Sequence, residues 1–388
     1  MDRPDFNSIA AQAAFQPVEG GAVIFHAPSK RLFALNAVAA FVWASMGEGL
    51  GPQEIRRGLS ATFRITGGQA DEWFELALDT FFGVWTAGAE PPPLDEAGIR
   101  AATQERGGVD YRLFDKILRV AAPGLAITAL DDLLAGLRIG GNGLEIGADA
   151  PDLLLEIEAV DDGYRLTSAG EWLSTVAPNG LVAAVEQAII QAIVPETPHL
   201  LAFHAAMLER QGHAVLLPAP SGSGKTTLSA LLAARGWRYG SDELVLCDRD
   251  LRWRALPFPP CIKAENYALV ETWHPRLAEA REHERFARKV KFLPLAVEAL
   301  AAPVSHVVFP FYQPDLETGL VATDKMTGLS ELLAQAVYVP AGFDERAVAS
   351  LVRWHERAAY YRLCYSDPVQ AAEMLEKMPL SGLEWHQP

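Results

Sequence analysis

The hydrophobic pattern of residues 1–90 predicts a small module built from a hairpin and three helices. Two short apolar runs flank a turn and predict paired strands; they are Gly21–Phe25 and Arg31–Leu35, around Pro28–Ser29. Apolar residues at helical spacing then predict three helices, which are Ala37–Met46, Pro52–Phe63 and Gln69–Val84. A hairpin followed by three short helices is typical of a small winged-helix-like domain.

A run of consecutive prolines, Pro91–Pro93, separates this module from the rest of the chain. Proline cannot continue a helix and favours an extended spacer, so residues 91–107 are predicted to be a linker. Residues 108–388 are numerous enough for a second domain with its own core. Within it we expect an N-terminal subregion, 108–198, and a larger core, 199–388.

Beyond the linker, short apolar runs alternate with glycines and acidic residues, which predicts strands and hairpin turns mixed with helices. The predicted strands are Tyr111–Leu113, Ile117–Val120, Leu144–Ile146, Leu153–Ile157 and Val304–Phe309. The predicted helices are Leu130–Leu137, Gly180–Val194, Leu329–Val337, Phe343–Ala359 and Pro368–Met378. Pro195 and Pro198 are expected to end the second of these helices. The predicted fold class is α/β (α+β).

A strand–loop–helix pattern carries the clearest chemical signal. The apolar run His213–Leu217 is suited to a buried strand, and the helical pattern LSALLAARG ends at Gly236. Between them lies the P-loop (Walker A) spacing, formed by Ala219, Pro220, Ser221, Gly222, Ser223, Gly224, Lys225, Thr226 and Thr227. The alternative is a Gly/Ser-rich surface turn ahead of a helix.

The P-loop interpretation assigns a role to each part of the loop. Backbone N–H groups at a helix N-terminus bind phosphates, and the glycines let the chain wrap around them. Lys225 would reach the β- and γ-phosphates of ATP, and the Thr226 hydroxyl would bind Mg²⁺. Ala219 stands where the motif usually has glycine, which we expect to reshape the entry of the loop slightly.

Two further features lie close to the P-loop in sequence. The predicted strand Trp237–Cys247 is interrupted by Asp242 and Glu243, which could bind the metal or accept a proton from an attacking hydroxyl. A solvated turn is the alternative. His204 stands in the apolar run LLAFHAAM, where a histidine is more often a core residue than a catalyst, so its role stays open.

These three features together resemble the HPr kinase/phosphorylase family, specifically its HprK-related kinases of the A type. The matching residues are His204-Ala205-Ala206, PSGSGKTTLSALLAARGW and Tyr239-Gly240-Ser241-Asp242-Glu243. The resemblance implies a P-loop kinase fold of the HPr-kinase/phosphoenolpyruvate-carboxykinase type over roughly residues 108–380. It also implies that Asp242 is the general base, His204 its supporting neighbour and Glu243 the second acidic residue, at the metal with Thr226.

One departure from that family changes what the resemblance implies. Thr227 stands where the bifunctional enzymes carry Glu, and their downstream glycine-rich signature finds no good match here. The resemblance therefore leaves open whether the protein catalyses phosphorolysis and whether HPr is its substrate. What the resemblance still implies is ATP-dependent phosphorylation of a hydroxyl group.

The N-terminal module has a resemblance of its own. Residues Arg31–Trp43, RLFALNAVAAFVW, are similar to the PqqD-type peptide chaperones, in which a short strand leads into LN and an aromatic helix. This similarity implies that residues 1–90 bind the leader of a ribosomally made peptide as an additional strand. The alternative is a winged-helix packing domain without a ligand.

Composition and charge narrow the class of protein further. The formal net charge of −16 argues against nucleic acid or an acidic membrane as partner, because phosphate affinity comes from Lys and Arg. Three dispersed cysteines, the lack of a secretory signal and the lack of a long apolar stretch predict a cytoplasmic protein. The basic segment Arg281–Lys291 could supply a cation to a phosphoryl group, but a solvated helix with a Glu284–Arg288 pair is the preferred interpretation.

The function predicted from the sequence is transfer of the γ-phosphoryl group of ATP to a Ser or Thr hydroxyl of a precursor peptide bound by residues 1–90. One alternative is a small-molecule hydroxyl kinase. Another is a non-catalytic ATP-binding regulatory or peptide-chaperone protein. A homo-oligomer stays open.

Overall fold

The computed structural model describes residues 13–26, 31–85, 108–139, 151–168, 170–220, 222–295, 297, 300, 303–339 and 343–380. Several predicted features lie outside the described residues: the Pro28–Ser29 turn, the linker 91–107, the strand Leu144–Ile146 and the P-loop residue Ser221. The described chain is a mixed α/β structure with several separate sheets, consistent with an α+β fold.

The N-terminal module consists of a three-stranded antiparallel sheet followed by three helices. The strands pair in the order β1-β2-β3 and are β1 Ala13–Val18, β2 Gly21–His26 and β3 Arg31–Asn36. The helices are α1 Ala37–Gly47, α2 Pro52–Phe63 and α3 Gly67–Trp85. Asn36 begins α1, since its side-chain Oδ1 accepts a hydrogen bond from the Ala39 N–H at 2.9 Å. The predicted hairpin and helices are present, and β1 is an additional strand.

The next segment forms a five-stranded sheet covered by two helices. The strands are β4 Val109–Leu113, β5 Lys116–Ala121, β6 Leu153–Val160, β7 Gly163–Ser168 and β8 Glu171–Val176, paired in chain order. The helices are α4 Gly124–Leu134 and α5 Leu181–Glu196, and a 3₁₀ turn covers Ala135–Leu137. The helix α4 starts earlier than predicted, directly after Pro123, and α5 continues past Pro195 by one residue.

Two sheets form the larger core. The six-stranded sheet has the order β12-β10-β11-β18-β21-β19, with β10 Ala205–Arg210, β11 His213–Pro218, β12 Arg238–Ser241, β18 Val304–Tyr312, β19 Gly319–Ala322 and β21 Ala359–Tyr365. The four-stranded sheet has the order β14-β13-β9-β20, with β9 Leu201–Phe203, β13 Val245–Cys247, β14 Trp253–Ala255 and β20 Ala336–Tyr338. The helices are α6 Lys225–Ala234, α8 Lys325–Leu333, α9 Glu345–Arg357 and α10 Pro368–Lys377.

Strand direction decides which residues meet at one edge of the six-stranded sheet. The strands β11, β18 and β21 are mutually parallel. The strand β12 also runs in their direction, because β10 is antiparallel to both β11 and β12. The carboxyl ends of these four strands therefore lie along one edge, where ligands of α/β sheets usually bind.

The predicted strand Trp237–Cys247 is not continuous. It is divided into β12 and β13, which belong to different sheets, and Asp242 and Glu243 lie between them. Ser241 forms the turn, since its Oγ accepts hydrogen bonds from the N–H groups of Glu243 (3.2 Å) and Leu244 (3.4 Å). The acidic pair thus interrupts the strand because the chain changes sheets there.

The basic segment Arg281–Lys291 is a β-hairpin, so the prediction of a solvated helix was wrong. The strands β16 Glu282–Arg285 and β17 Arg288–Phe292 pair with each other and with β15 Cys261–Lys263. Burial follows period two, with His283 and Val290 paired inside. The secondary structure of this segment therefore follows the alternation of buried and exposed side chains, not the helical spacing of its charges. The remaining short elements are α7 Tyr267–Glu271 and 3₁₀ turns at Pro178–Gly180, Ala264–Asn266 and Pro275–Leu277.

Two predicted helices near the C-terminus begin or end elsewhere. The helix α8 begins at Lys325 after the cap Asp324, and the end of the predicted segment is the strand β20. The cap of α9 is Asp344, whose carboxylate accepts from the Ala347 N–H at 2.9 Å. In both places an aspartate cap fixes the first helical residue.

The N-terminal sheet packs on both of its faces. Ala22 and Ile24 point to the helices of the module itself, whereas Val23 and Phe25 join the core that includes α8 and α9. The ring of Phe25 lies 4.6 Å from that of Phe343, measured between centroids. Period-two alternation explains why β2 is buried along nearly its whole length. Among the described residues, no helix is long and apolar enough to cross a membrane.

Candidate functional site

Two glycines in the described part of the loop between β11 and α6 lie in the left-handed region of backbone conformation. Gly222 and Gly224 adopt positive φ values of 91° and 86°, which glycine reaches without strain. Gly224 precedes the first residue of α6 and offers no side-chain cap. The N–H groups of the first turn of α6, Lys225–Thr227, therefore have no acceptor within the helix and are available to an anion.

Neighbouring strands hold this loop against the sheet edge. The N–H of Tyr312, the last residue of β18, donates to the Ser223 carbonyl at 3.2 Å. A Cβ on Gly224 would lie 2.1 Å from the hydroxyl oxygen of Tyr365, the last residue of β21. Only glycine fits at this position, because both space and φ exclude a side chain.

Lys225 is buried beneath the loop and contacts His204. Its Nζ lies 2.9 Å from Nε2 of His204 and donates to the carbonyl of Ala219 at 3.2 Å. Burial lowers the pKa of Lys225 to about 8, although Asp242 and Glu243 attract its charge. Burial and the neighbouring lysine also lower the pKa of His204, so its ring is neutral and accepts from the ammonium group.

Asp242 is a buried carboxylate held by Tyr239. It accepts a hydrogen bond from the Tyr239 hydroxyl at 2.7 Å, and the Thr226 hydroxyl acts as a second donor that lowers its pKa. Only 6% of Asp242 is exposed. Burial raises the pKa of this carboxyl group, while the two hydroxyl donors and Lys225 oppose the rise. A carboxylate with a raised pKa is suited to accept a proton near neutral pH.

Glu243 forms an ion pair with Arg285, the last residue of β16. Nη2 of Arg285 lies 3.0 Å from Oε1 of Glu243, and Nη1 lies 3.4 Å from Oε2. The Nε of the same guanidinium lies 3.4 Å from Oε2 of Glu186, a helix α5 residue that is only 2% exposed. Burial raises the pKa of Glu186 to about 8, although Arg285 opposes the rise. One guanidinium therefore joins the hairpin, α5 and the acidic pair.

The site thus forms where the chain passes between the two core sheets. His204 separates β9 from β10, and Asp242–Glu243 separate β12 from β13. The strands β9 and β13 pair in one sheet, and β10 and β12 pair in the other. Both crossings therefore occur at the same place, beside the P-loop lysine.

Residues separated in sequence therefore come together, with two qualifications. His204 contacts Lys225, and among the described residues no hydrogen bond joins His204 to Asp242. The described residues of the loop, Ala219–Pro220 and Gly222–Thr227, surround the N-terminus of α6, while Ser221 lies outside the described residues. The basic segment contributes Arg285, which forms the ion pair with Glu243.

Sequence reasoning missed Tyr239 and Glu186 as parts of the site. Tyr239 is fully enclosed and donates to Asp242 from three residues earlier in the chain. Glu186 is a charged residue in the middle of a mostly apolar helix, and this charge was the available signal. A buried carboxylate needs a cation, and the partner came from a segment almost a hundred residues later.

The loop offers partners suited to a phosphate and a hard metal ion. The Ser223 hydroxyl is buried and has no hydrogen-bond partner among the described residues, and a Cβ on Gly222 would meet nothing within 4 Å. The hydroxyl of Thr226 and the carboxylates of Asp242 and Glu243 supply hard oxygen atoms of the kind that Mg²⁺ prefers. The residues present therefore fit a phosphate–Mg²⁺ group.

Comparison with known proteins gives two similarities. Residues 181–276 match the family described as SynChlorMet cassette protein ScmC, a stretch that runs from α5 past the P-loop and the acidic pair. The Hpr(Ser) kinase/phosphatase from Coxiella burnetii is similar at 11% identity over 45% of this chain and 88% of that chain, with a TM-score of 0.23. A TM-score this low is not evidence of a shared fold. A search of curated proteins finds no match.

Proposed function

We propose that this protein is an ATP-dependent kinase that transfers the γ-phosphoryl group to a Ser or Thr hydroxyl of a peptide recognised by its N-terminal module. The observation that carries the proposal is the position of the buried Asp242 carboxylate, which follows β12 at the same sheet edge as the loop, near Lys225 and the N-terminus of α6. A phosphate-binding loop with a buried carboxylate beside it is an arrangement suited to phosphoryl transfer.

In this proposal each group of the site has one task. Amides of Lys225–Thr227 and the Lys225 ammonium bind the phosphates of ATP. Asp242 accepts the proton of the acceptor hydroxyl while that oxygen bonds to the γ-phosphorus and the bond to the bridging oxygen of ADP breaks. The proton thus stays on Asp242 and the electron pair leaves with ADP.

Thr226 would hold Mg²⁺, which would neutralise phosphate charge when bound. Glu243 is the acid proposed as a second ligand of the metal. Its two carboxylate oxygens are engaged by Arg285, so that ion pair has to open before Glu243 can serve as a ligand. Arg285 would then carry its charge beside the acceptor end of the site.

His204 and Tyr239 act on the charged groups rather than on the substrate. A neutral His204 ring accepts from Lys225 and holds the ammonium under the loop. Tyr239 donates to Asp242 from the buried side, which fixes the carboxylate in orientation. The resemblance to HPr-kinase-related proteins at these positions supports the same assignment.

Two features support a peptide as acceptor. The segment Arg31–Trp43 resembles PqqD-type chaperones, and the sheet that contains its strand packs directly on α8 and α9 of the core. A reader attached to the catalytic body raises the local concentration of its substrate, so high affinity is not needed. The other candidate acceptor is a small hydroxyl compound.

The proposal is tested by measuring ADP release from ATP and Mg²⁺ with a panel of Ser- and Thr-containing peptides and a panel of sugars and small alcohols. We expect turnover with peptides, and we expect Asp242→Asn to lower it by about 10² to 10⁴ while ATP still binds. Asp250→Asn is the matched control, since Asp250 is exposed in a turn. Wild-type turnover by Asp242→Asn would contradict the proposal, and turnover with small alcohols alone would favour the other acceptor.

A further inference from the structure

The sheet edge that carries the P-loop is chemically different on its two sides. On one side, β10 and β12 bring His204 and Asp242 to the loop. On the other side, β18 and β21 end in Tyr312 and Tyr365. Ionisable groups and aromatic rings thus flank the loop from opposite directions along one edge.

A nucleotide bound at this loop has only one orientation that matches these chemistries. The γ-phosphate belongs beside Lys225 and Asp242, as in the proposed function on which this inference rests. The opposite end of the molecule, the nucleoside, then extends toward the carboxyl ends of β18 and β21. A nucleobase placed there would contact aromatic side chains, on which any base can stack.

Tyr312 is the side chain placed to make this contact. Its backbone is fixed to the loop by the hydrogen bond to Ser223, and its Cβ lies 3.1 Å from the Cβ position of Gly224. Tyr312 is nevertheless 43% exposed, so it is not fully buried in the core and can contact a ligand. A half-exposed aromatic side chain next to Ser223 and Gly224 is positioned to contact a ligand bound at the loop.

Tyr365 supports Tyr312 from behind. Their rings meet edge to face with centroids 5.6 Å apart. Tyr365 is 1% exposed, and its hydroxyl has no hydrogen-bond partner among the described residues although it lies against Gly224. A buried hydroxyl aimed at the loop without a partner is a second sign that a ligand group completes this site.

We propose that the base of the phosphoryl donor stacks on Tyr312, with Tyr365 holding that ring in place. The donor is therefore a nucleoside triphosphate and not an inorganic polyphosphate. Selection between the two depends on the aromatic side of the loop, and phosphate binding depends on the amides and Lys225.

The neighbouring residue Phe311 provides a matched control on the same strand. Along β18, Val308 belongs to the core that contains α6, whereas Val307 and Phe309 belong to the core on the opposite face. By alternation, Tyr312 lies on the α6 face and Phe311 on the other. Phe311 is 50% exposed, so both positions tolerate substitution to a similar degree.

The test compares binding of ATP and of inorganic tripolyphosphate, each with Mg²⁺, by calorimetry on the full chain. We expect Tyr312→Leu to weaken ATP about tenfold, in line with the loss of one stacking contact, and to leave tripolyphosphate binding unchanged. Tyr312→Phe and Phe311→Leu should bind both ligands like the wild type. Leucine preserves bulk, and Tyr312→Phe gives the comparison if the leucine variant does not fold.

The possible results separate this inference from the proposed function. Equal affinity of the wild type for ATP and tripolyphosphate would overturn the stacking proposal and leave the phosphate loop intact. So would equal weakening of both ligands in Tyr312→Leu, or loss of ATP affinity in Tyr312→Phe. Failure of the wild type to bind either ligand would instead remove the proposed function itself.

Discussion

The fit between Gly224 and Tyr365 can be tested quantitatively. In Gly224→Ala the new Cβ would lie 2.1 Å from the Tyr365 hydroxyl oxygen, a separation that real contacts do not show. Alanine at φ +86° costs roughly 1–2 kcal/mol, and forced overpacking adds about 1–3 kcal/mol. We therefore expect a loss of about 2–5 kcal/mol in the free energy of unfolding.

The clash and the backbone cost can be separated with a second substitution. Tyr365→Phe removes the oxygen that the new Cβ would meet, so in the Gly224→Ala background it should recover about 1–2 kcal/mol. Recovery is incomplete because Cβ of Tyr312 and Cζ of Tyr365 both remain 3.1 Å away. Alone, Tyr365→Phe should change stability by less than about 1 kcal/mol, since it removes a buried hydroxyl without a partner.

Gly222→Ala is the matched control, because Gly222 has nearly the same φ but nothing within 4 Å of its Cβ position. It should cost only the backbone term, roughly 1–2 kcal/mol, and Tyr365→Phe should not rescue it. The assay is urea unfolding of the wild type, the three single variants and the two double variants that combine each glycine substitution with Tyr365→Phe. A coupling energy between Gly224→Ala and Tyr365→Phe below about 0.5 kcal/mol would refute the reasoning.

Three further predictions concern the buried charges and the N-terminal sheet. Burial lowers the pKa of Lys225 to about 8, so its cationic form is lost as the pH rises through that value. ATP should therefore bind more weakly above pH 8, and its binding should be coupled to proton uptake. Calorimetry in two buffers of different ionisation enthalpy measures the proton uptake, and an ATP affinity independent of pH would contradict the prediction. Arg285→Ala should destabilise by about 3 kcal/mol or more in urea unfolding above pH 8, where Glu186 is ionised and would lose its cation. Adding Glu186→Gln should restore part of that loss, and no restoration would contradict the pairing. In the same assay, Phe25→Ala should lower the free energy of unfolding by about 3 kcal/mol, clearly more than Phe33→Ala, because Phe25 is buried and Phe33 is only half-buried. Equal losses would contradict packing of the N-terminal sheet on the core.

Local patterns were sufficient to predict the strand and the helix that flank the proposed phosphate loop. The apolar run before the loop is β11, and the helical run after it is α6. Both elements are buried and regular, so hydrophobic periodicity alone identifies them. The resemblance to HPr-kinase-related proteins indicated two further residues of the candidate site, namely His204 before the loop and Asp242 after it.

Features that depend on distant contacts were not predictable in the same way. The segment Arg281–Lys291 has helical charge spacing, yet pairing with β15 makes it a hairpin, because β-structure depends on a partner strand. The interruption at Asp242 looked like a defect in one strand, and it is a change between two sheets. No local pattern connects Glu186 with Arg285.

The N-terminal sheet illustrates a third limit. Its strand β2 reads as a continuous apolar run, which predicts burial but not which element covers each face. The partners of Val23 and Phe25 are contributed by α8, α9 and their surroundings, far along the chain. Only tertiary packing decides that this sheet lies against the core.

The location of a labelled phosphoryl group tests the central claim most directly. ATP labelled in its γ-phosphate is incubated with the full chain, Mg²⁺ and the peptide panel, and the products are separated. Our account predicts label in a phosphoester on a peptide Ser or Thr, and none there with Asp242→Asn. Label found only as inorganic phosphate, or retained entirely in ATP that is bound but not consumed, would contradict it.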